Sequence, residues 1–190
     1  MRCCSPVNQF NLVHRLTRKQ DRLFDRLRDR RALEAAGNPG TAATFDALEG
    51  EEYALVVTFR RSGQPVPTPM WFGLRDGRAY VRSLADAGKI KRLRHNPGVR
   101  VAPCTVRGRP TGPFADGVAR ILTADKSEIA EAALDRHYGL RRRLYESAGS
   151  RLGVQTVYVE LVPRGATAAS RQPEAIEHRE GQPGPADPAR

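Results

Sequence analysis

Between Ala87 and Phe114 there are seven basic residues, Lys89, Lys91, Arg92, Arg94, Arg100, Arg107 and Arg109, and no acidic one. The densest part, Gly88-Lys89-Ile90-Lys91-Arg92-Leu93-Arg94, carries Ile90 and Leu93 at helical spacing and follows shortly after Arg82-Ser83, which ends a strand-like run. A short helix opening on Gly88 and Lys89 opposite a hydroxyl offers N–H groups, an ammonium and a hydroxyl to a single anion, and a phosphate suits that set. On spacing alone, a solvated charged face is the plain alternative. Arg107-Gly108-Arg109 lies in a turn and extends the positive field toward whatever binds nearby.

A second feature is Val66-Pro67-Thr68-Pro69-Met70-Trp71-Phe72, preceded by Pro65, so that three prolines fall at alternate positions of a strand. Alternate N–H groups of a strand point to one edge, and that edge has lost its donors. Proline is confined to edge strands and bulges, so the open side can face a ligand or a second subunit, or simply be protected from aggregation. No G-x-S-x-G elbow, Walker loop or G-x-G-x-x-G fingerprint occurs. His14, His95, His137 and His178 have no metal-ligand spacing, and Cys3, Cys4 and Cys104 suggest neither a disulfide framework nor a metal site. If the chain is an enzyme, its hard chemistry belongs to a bound cofactor.

The elements that must hold these residues follow from the chain's punctuation. Its 190 residues suit one domain with tails. Hydrophobic residues make up 39%, below the roughly 45–50% of a typical globular domain, so part of the chain is expected to lie outside the core. The divisions are a basic extension at residues 1–43, a core at 44–163 and a disordered tail at 164–190 rich in Pro, Gly and Ala. Leu12, Leu16, Leu23 and Leu27, with Phe24, suggest an amphipathic helix in the extension, ending at Gly37-Asn38-Pro39-Gly40. Within the core, Thr44 can cap a short helix, and Tyr53–Phe59, Val66–Leu74 and Ala79–Ser83 read as a three-stranded antiparallel meander, its second turn carrying Asp76-Gly77. Strands at 99–106 and 117–122 follow the basic helix. Asp125 and Glu128 then form a capping box for a helix with Ile129, Ala132, Ala133 and Tyr138 on one face, and a second short helix at 140–147 precedes a final strand at 156–162. Six strands with inserted helices describe a mainly β protein, a small barrel rather than a parallel α/β sheet.

The stretch VTFRRSGQPVPTPMWFGLRDGRAYVRS, the following GKIKRLRHNPGVRVAPC and the turn RGRPTGP resemble the pyridoxamine 5′-phosphate oxidase-like superfamily of split-barrel flavin and deazaflavin oxidoreductases, and most closely its F420-dependent actinobacterial branch. The resemblance covers about residues 44–163. It implies a six-stranded split β-barrel, a homodimer, and a cofactor at the subunit interface. It also implies that Ser83 and Lys89 hold the cofactor phosphate, with Arg82, Lys91 and Arg92 nearby, and that the Val66–Trp71 strand, through Pro67, Thr68, Pro69 and Trp71, passes along the ring system. Pyridoxamine-phosphate oxidases have an Arg and a Lys in the equivalent strand, which here reads Pro67-Thr68-Pro69-Met70-Trp71. That departure points from FMN toward coenzyme F420, whose anionic tail suits the basic run ending at Arg107 and Arg109.

The implied reaction is hydride transfer between F420 and a conjugated or unsaturated small molecule, tetrapyrroles included. Tyr138, Tyr145 and His137 are able to donate a proton, although packing is the plainer role for the tyrosines. FMN is the alternative cofactor, and a non-enzymatic carrier of F420 or a tetrapyrrole is the alternative function. The net charge of +11 raises nucleic-acid binding, but the core lacks aromatic interleaving. No apolar run approaches the ~20 residues of a membrane-spanning helix, and no secretory signal opens the chain, which gives a cytoplasmic expectation.

Overall fold

The structure, a computed structural model, describes residues 30–139 and 155–165. The amphipathic run at Leu12–Leu27, the helix expected at 140–147, Tyr145 and most of the tail lie outside the described residues. The described strands are β1 (Tyr53–Phe59), β2 (Pro65–Met70), β3 (Phe72–Arg75), β4 (Arg78–Leu84), β5 (Gly98–Cys104), β6 (Ala115–Ile121) and β7 (Thr156–Pro163). The helices are α1 (Arg30–Ala36), α2 (Gly88–His95) and α3 (Ser127–Tyr138), with 3₁₀ turns at Asp46–Leu48 and Ala124–Lys126. All strand pairs are antiparallel, in the order β2-β1-β5-β6-β7-β4-β3.

The two edge strands of this sheet, β2 and β3, are consecutive in the chain and separated only by Trp71. One extended segment therefore pairs with β1 along its first half and with β4 along its second, which curls the sheet round on itself. This corrects the expected six strands to seven, because the single run Val66–Leu74 changes neighbour at Trp71. The proline pattern accounts for the first half. Pro65, Pro67 and Pro69 stand opposite Phe59, Val57 and Leu55. Having no N–H, the prolines leave the bonded positions of the ladder to Val66, Thr68 and Met70 and turn their nitrogens to the open edge. In the second half, Arg75 pairs with Arg78 across Asp76 and Gly77, whose φ values of 52° and 68° make the tight hairpin that Asp-Gly favours.

Alternation along the strands divides the apolar residues between two faces. Ala54, Val56, Met70, Phe72, Val81, Val99, Val101, Val159 and Leu161 point inward, and Ile90 and Leu93 of α2 pack against them. Leu55, Val57, Ala102, Cys104 and Phe114 face outward, where Ala32 and Ala36 of α1 cover them. β1 is buried on both faces, which is why it reads YALVVTF with no polar alternation. Arg100 secures α1: its Nε lies 3.1 Å from Asp116 Oδ1 and its Nη1 donates to the Ala36 carbonyl at 3.0 Å.

Helix α3 differs from its expected form. It begins at Ser127, so Asp125 lies in the preceding 3₁₀ turn and no capping box forms; hydrogen bonding to Thr123 lowers the Asp125 pKa. Its buried residues are Ala130, Ala133 and Leu134, while Ile129 is 44% exposed, a face turned by one residue from the expected one. The small side chains of Ala130 and Ala133 let α3 lie close on the sheet, and Leu134 completes the buried face. The 3₁₀ turn at Asp46–Leu48 likewise has no side-chain cap from Thr44 and holds itself in place by burying Leu48.

The closest approach is at Gly73, where a Cβ would come 2.3 Å from the Ala133 carbonyl carbon. Backbone cannot yield as a flexible side chain does. Gly73→Ala is expected to lose about 3 kcal/mol of stability in urea unfolding, the upper part of the overpacking range, as α3 lifts from β3.

Candidate functional site

Strand β4 delivers Ser83 to the inner face of the curled sheet, where its side chain is 7% exposed. Helix α2 starts four residues after β4 ends and closes the sheet's interior with Ile90 and Leu93. Ser83, Lys89 and Thr58 line one cleft with Val56, Met70 and Val81. Arg92, one turn beyond Gly88, reaches back into the same place: its Nε donates to Thr58 Oγ1 at 2.8 Å. Arg92 Nη1 lies 3.2 Å from where a Cβ on Gly88 would stand, so the guanidinium crosses the first turn of the helix.

The result is electrostatically one-sided. An α-helix carries partial positive charge at its N-terminus and is stabilised there by acidic side chains. The first turn of α2 has none and instead holds Lys89, with Arg92 laid over it. Lys89, Arg92 and the N-terminus of α2, with the Ser83 hydroxyl 3.4 Å from the Leu84 carbonyl beside them, are the groups here that could meet an anion carrying several acceptor oxygens, such as a phosphate. The space enclosed among these residues is about 10 Å³, room for about one water molecule, so a phosphate would have to sit outside it, at the rim where α2 begins.

The other residues expected at the site are distributed differently. Arg82 follows the alternation of β4 to the outer face, where its guanidinium lies 5.8 Å from the centre of the Tyr158 ring. Lys91 is exposed on α2. Thr68, opposite Val56, shares the inner face with Thr58, whereas Pro67 and Pro69 share the outer face with Val57 and Leu55. Arg107 and Arg109 are exposed in the turn after β5, which packs at Gly108 against Leu55 and Pro69 on the outer face. Within one chain they lie across the sheet from Lys89. Trp71 stacks on Tyr138, with ring centres 5.2 Å apart.

Thr58 is the site residue that sequence reasoning passed over. Its signal is the lone hydroxyl in an otherwise apolar strand, a position where a buried polar group has to find a partner.

Several reactive groups are taken up by the fold. Tyr138 accepts from the Phe72 N–H at 3.1 Å and donates to the Glu52 carbonyl, and His137 Nε2 lies 2.9 Å from the Glu51 carbonyl. On the outer face, Glu160 holds Arg78 at 2.8 Å and Arg120 at 3.7 Å and accepts from Tyr80. The Glu160 hydrogen bond raises the Arg78 pKa, and burial above all raises that of Tyr80. The described residues contain no group of three or more possible metal ligands, and none of their helices is long and apolar enough to cross a membrane.

No family model and no curated protein matches the chain. Among solved structures it is similar to a conserved hypothetical protein from Mycobacterium tuberculosis, at 19% identity and a TM-score of 0.48, over 67% of this chain and 86% of that one. It is also similar to the heme storage protein HutZ from Vibrio cholerae, at 16% identity and a TM-score of 0.46, over 60% and 83% of the two chains. A third similar structure is an F420 reductase, at 17% identity and a TM-score of 0.44, over 64% and 94%.

Cys104 is not a nucleophile in this setting. Burial first, and the charge of Glu51 second, push its thiol pKa up to about 12. In the native protein at pH 8, an alkylating reagent is expected to leave Cys104 unmodified, and in denaturant to modify it fully, as read by peptide mass mapping.

Proposed function

We propose that the protein is an F420-dependent oxidoreductase that transfers a hydride between the deazaflavin and a conjugated or unsaturated small molecule. The observation that carries this reading is that Ser83 and Lys89 line one cleft at the start of α2, whose first turn holds no acidic residue and has the Arg92 guanidinium folded back over Gly88. That set fits a phosphate monoester or diester at the end of a planar cofactor, which is the use the sequence resemblance implies for it. When bound, the deazaflavin supplies the hydride chemistry. The chain's own contribution is to fix the cofactor through its phosphate and to orient it along the Val66–Trp71 strand, with Thr68 on the face that Thr58 shares.

The ring system has to lie outside the curled sheet, since the interior space of about 10 Å³ is far below the roughly 300 Å³ or more of a small-molecule site. A homodimer with the cofactor between copies accommodates this, and gives the proline-lined edge of β2 a partner surface. It also allows Arg107 and Arg109 of the second copy to reach the cofactor's anionic tail, which they cannot do across their own sheet. Light scattering after size exclusion is expected to give twice the 21.0 kDa chain mass. A monomer at micromolar concentration would remove the shared site.

The direct test is titration with oxidised F420 and, separately, FMN, followed by Trp71 fluorescence. F420 is expected to bind more tightly than FMN, because the strand at 65–71 has no cation of the kind the pyridoxamine-phosphate oxidases use there. Lys89→Ala is expected to weaken binding by about tenfold or more, the scale of one charge-assisted contact. Tighter binding of FMN would make this a flavin protein of the same site. F420 binding without any turnover across a panel of conjugated acceptors would favour a carrier.

A further inference from the structure

Arg92 is held from two sides. Its Nε donates to the hydroxyl of Thr58, which is 1% exposed and belongs to β1, 34 residues earlier in the chain. Its Nη1 passes over Gly88, where even a methyl group would stand 3.2 Å away. An arginine side chain has four rotatable bonds, and a hydrogen bond from its Nε to a fully buried hydroxyl restricts the direction in which its guanidinium points. Thr58 Oγ1 also lies 3.4 Å from the Val66 carbonyl, the geometry in which the hydroxyl donates to β2 and so turns its lone pairs toward Arg92. The hydroxyl has a defined direction, and so has the arginine.

We propose that Thr58 is the positioning residue of the anion site: it holds the Arg92 guanidinium across the start of α2 so that Arg92 and Lys89 grip one phosphate together. This rests on the reading of that site as the cofactor's phosphate site. It assigns to Arg92, rather than to Lys91 or Arg82, the second cationic contact, and it gives β1 a functional residue next to its C-terminal end. The fork of the guanidinium, presented edge-on by its Nε bond, suits the paired oxygens of a phosphate better than a mobile cation would.

The experiment is a double-mutant cycle on the full chain, with oxidised F420 and FMN as probes and inorganic phosphate as a third. Thr58→Val keeps the shape of the side chain and removes the acceptor. It is expected to weaken binding of whichever cofactor the wild type takes by about fivefold, within the range of one net hydrogen bond. Thr58→Ser is expected to restore binding, and Thr58→Val is expected to cost nothing further in an Arg92→Ala background. A residue that only supports the fold would lower the melting temperature of both backgrounds alike and leave the cycle additive, and that result would overturn the proposal. Gly88→Ala provides an independent variant should Thr58→Val fold poorly, since it displaces the same guanidinium from the opposite side and is expected to weaken binding in the same direction. If Lys89→Ala weakens binding but Thr58→Val and Gly88→Ala do not, the positioning role fails and the phosphate site stands. If Lys89→Ala has no effect, or the wild type binds none of the three probes, the site reading fails and the proposal falls with it.

Discussion

At Trp71 one continuous extended segment leaves β1 and joins β4, and the closure of the sheet depends on that crossing being held in place. Three contacts hold it. The Trp71 ring stacks on Tyr138, the Tyr138 hydroxyl accepts from the next backbone N–H at Phe72, and the same hydroxyl donates to the Glu52 carbonyl just before β1. One phenol at the end of α3 thus ties the seam of the sheet to the entry of β1, the strand beside β2. A single hydroxyl that accepts from one backbone group and donates to another fixes both in direction, and releasing it leaves the part-buried Phe72 N–H without this partner. His137 reinforces it by packing its ring on Phe72 and pairing with Glu51.

The closure decides what the inner face can be. Phe72, Val81, Val101 and Leu161 are almost fully enclosed, and burying each such side chain contributes about 1.5–3 kcal/mol relative to leaving it in water. The interior is therefore packed rather than hollow, and among the described residues its buried hydroxyls are those of Thr58 and Ser83, that of Tyr80 lying on the outer face. Thr58 and Ser83 lie where α2 closes the sheet. The proposed anion site is accordingly not a pocket added to the surface but the place where the core's packing gives way to the first turn of a helix.

Much of this could be read in the sequence, and the remainder fails for identifiable reasons. The hairpin at Asp76-Gly77 and the helix at Gly88–His95 follow from local rules, since turn geometry and helical spacing are set by neighbours in the chain. The bounds of β1 and β7 follow from short β-branched runs between breakers. The break at Trp71 does not follow in this way, because nothing local distinguishes a strand that changes partner from one that keeps it. The orientation of α3 is likewise not local: Ile129 outranks Ala130 on hydrophobicity, yet the contact of Gly73 with the helix backbone at Ala133 and Leu134 sets which face meets the sheet, and Ile129 falls outside it. At the site, Ser83 and Lys89 were visible as a strand end and a helix start and line one cleft. Arg82 was read with Ser83 because the two are adjacent, but adjacent residues of a strand point to opposite faces. Thr58 could not be paired with Arg92 from the sequence, since their meeting is a property of the closed sheet.

The first turn of α2 runs against what helix stability asks for. An acidic residue near the start would favour the helix, and the chain places Asp86 before it and none within it, with Lys89 there instead and Arg92 drawn back over the same turn. The rest of the fold shows how this chain treats its arginines when only structure is at stake: Arg78 and Arg120 share Glu160, and Arg100 is paired with Asp116. Each of those guanidiniums has a carboxylate within 4 Å. Arg92 takes a neutral threonine hydroxyl as its Nε partner, in a stretch of 28 residues without an acid. A hydroxyl directs a guanidinium by the geometry of one hydrogen bond, and that bond draws Arg92 back over the first turn of α2. The placement of two cations at a helix start runs against helix stability, the kind of local conflict that a folded chain keeps where another constraint outweighs it.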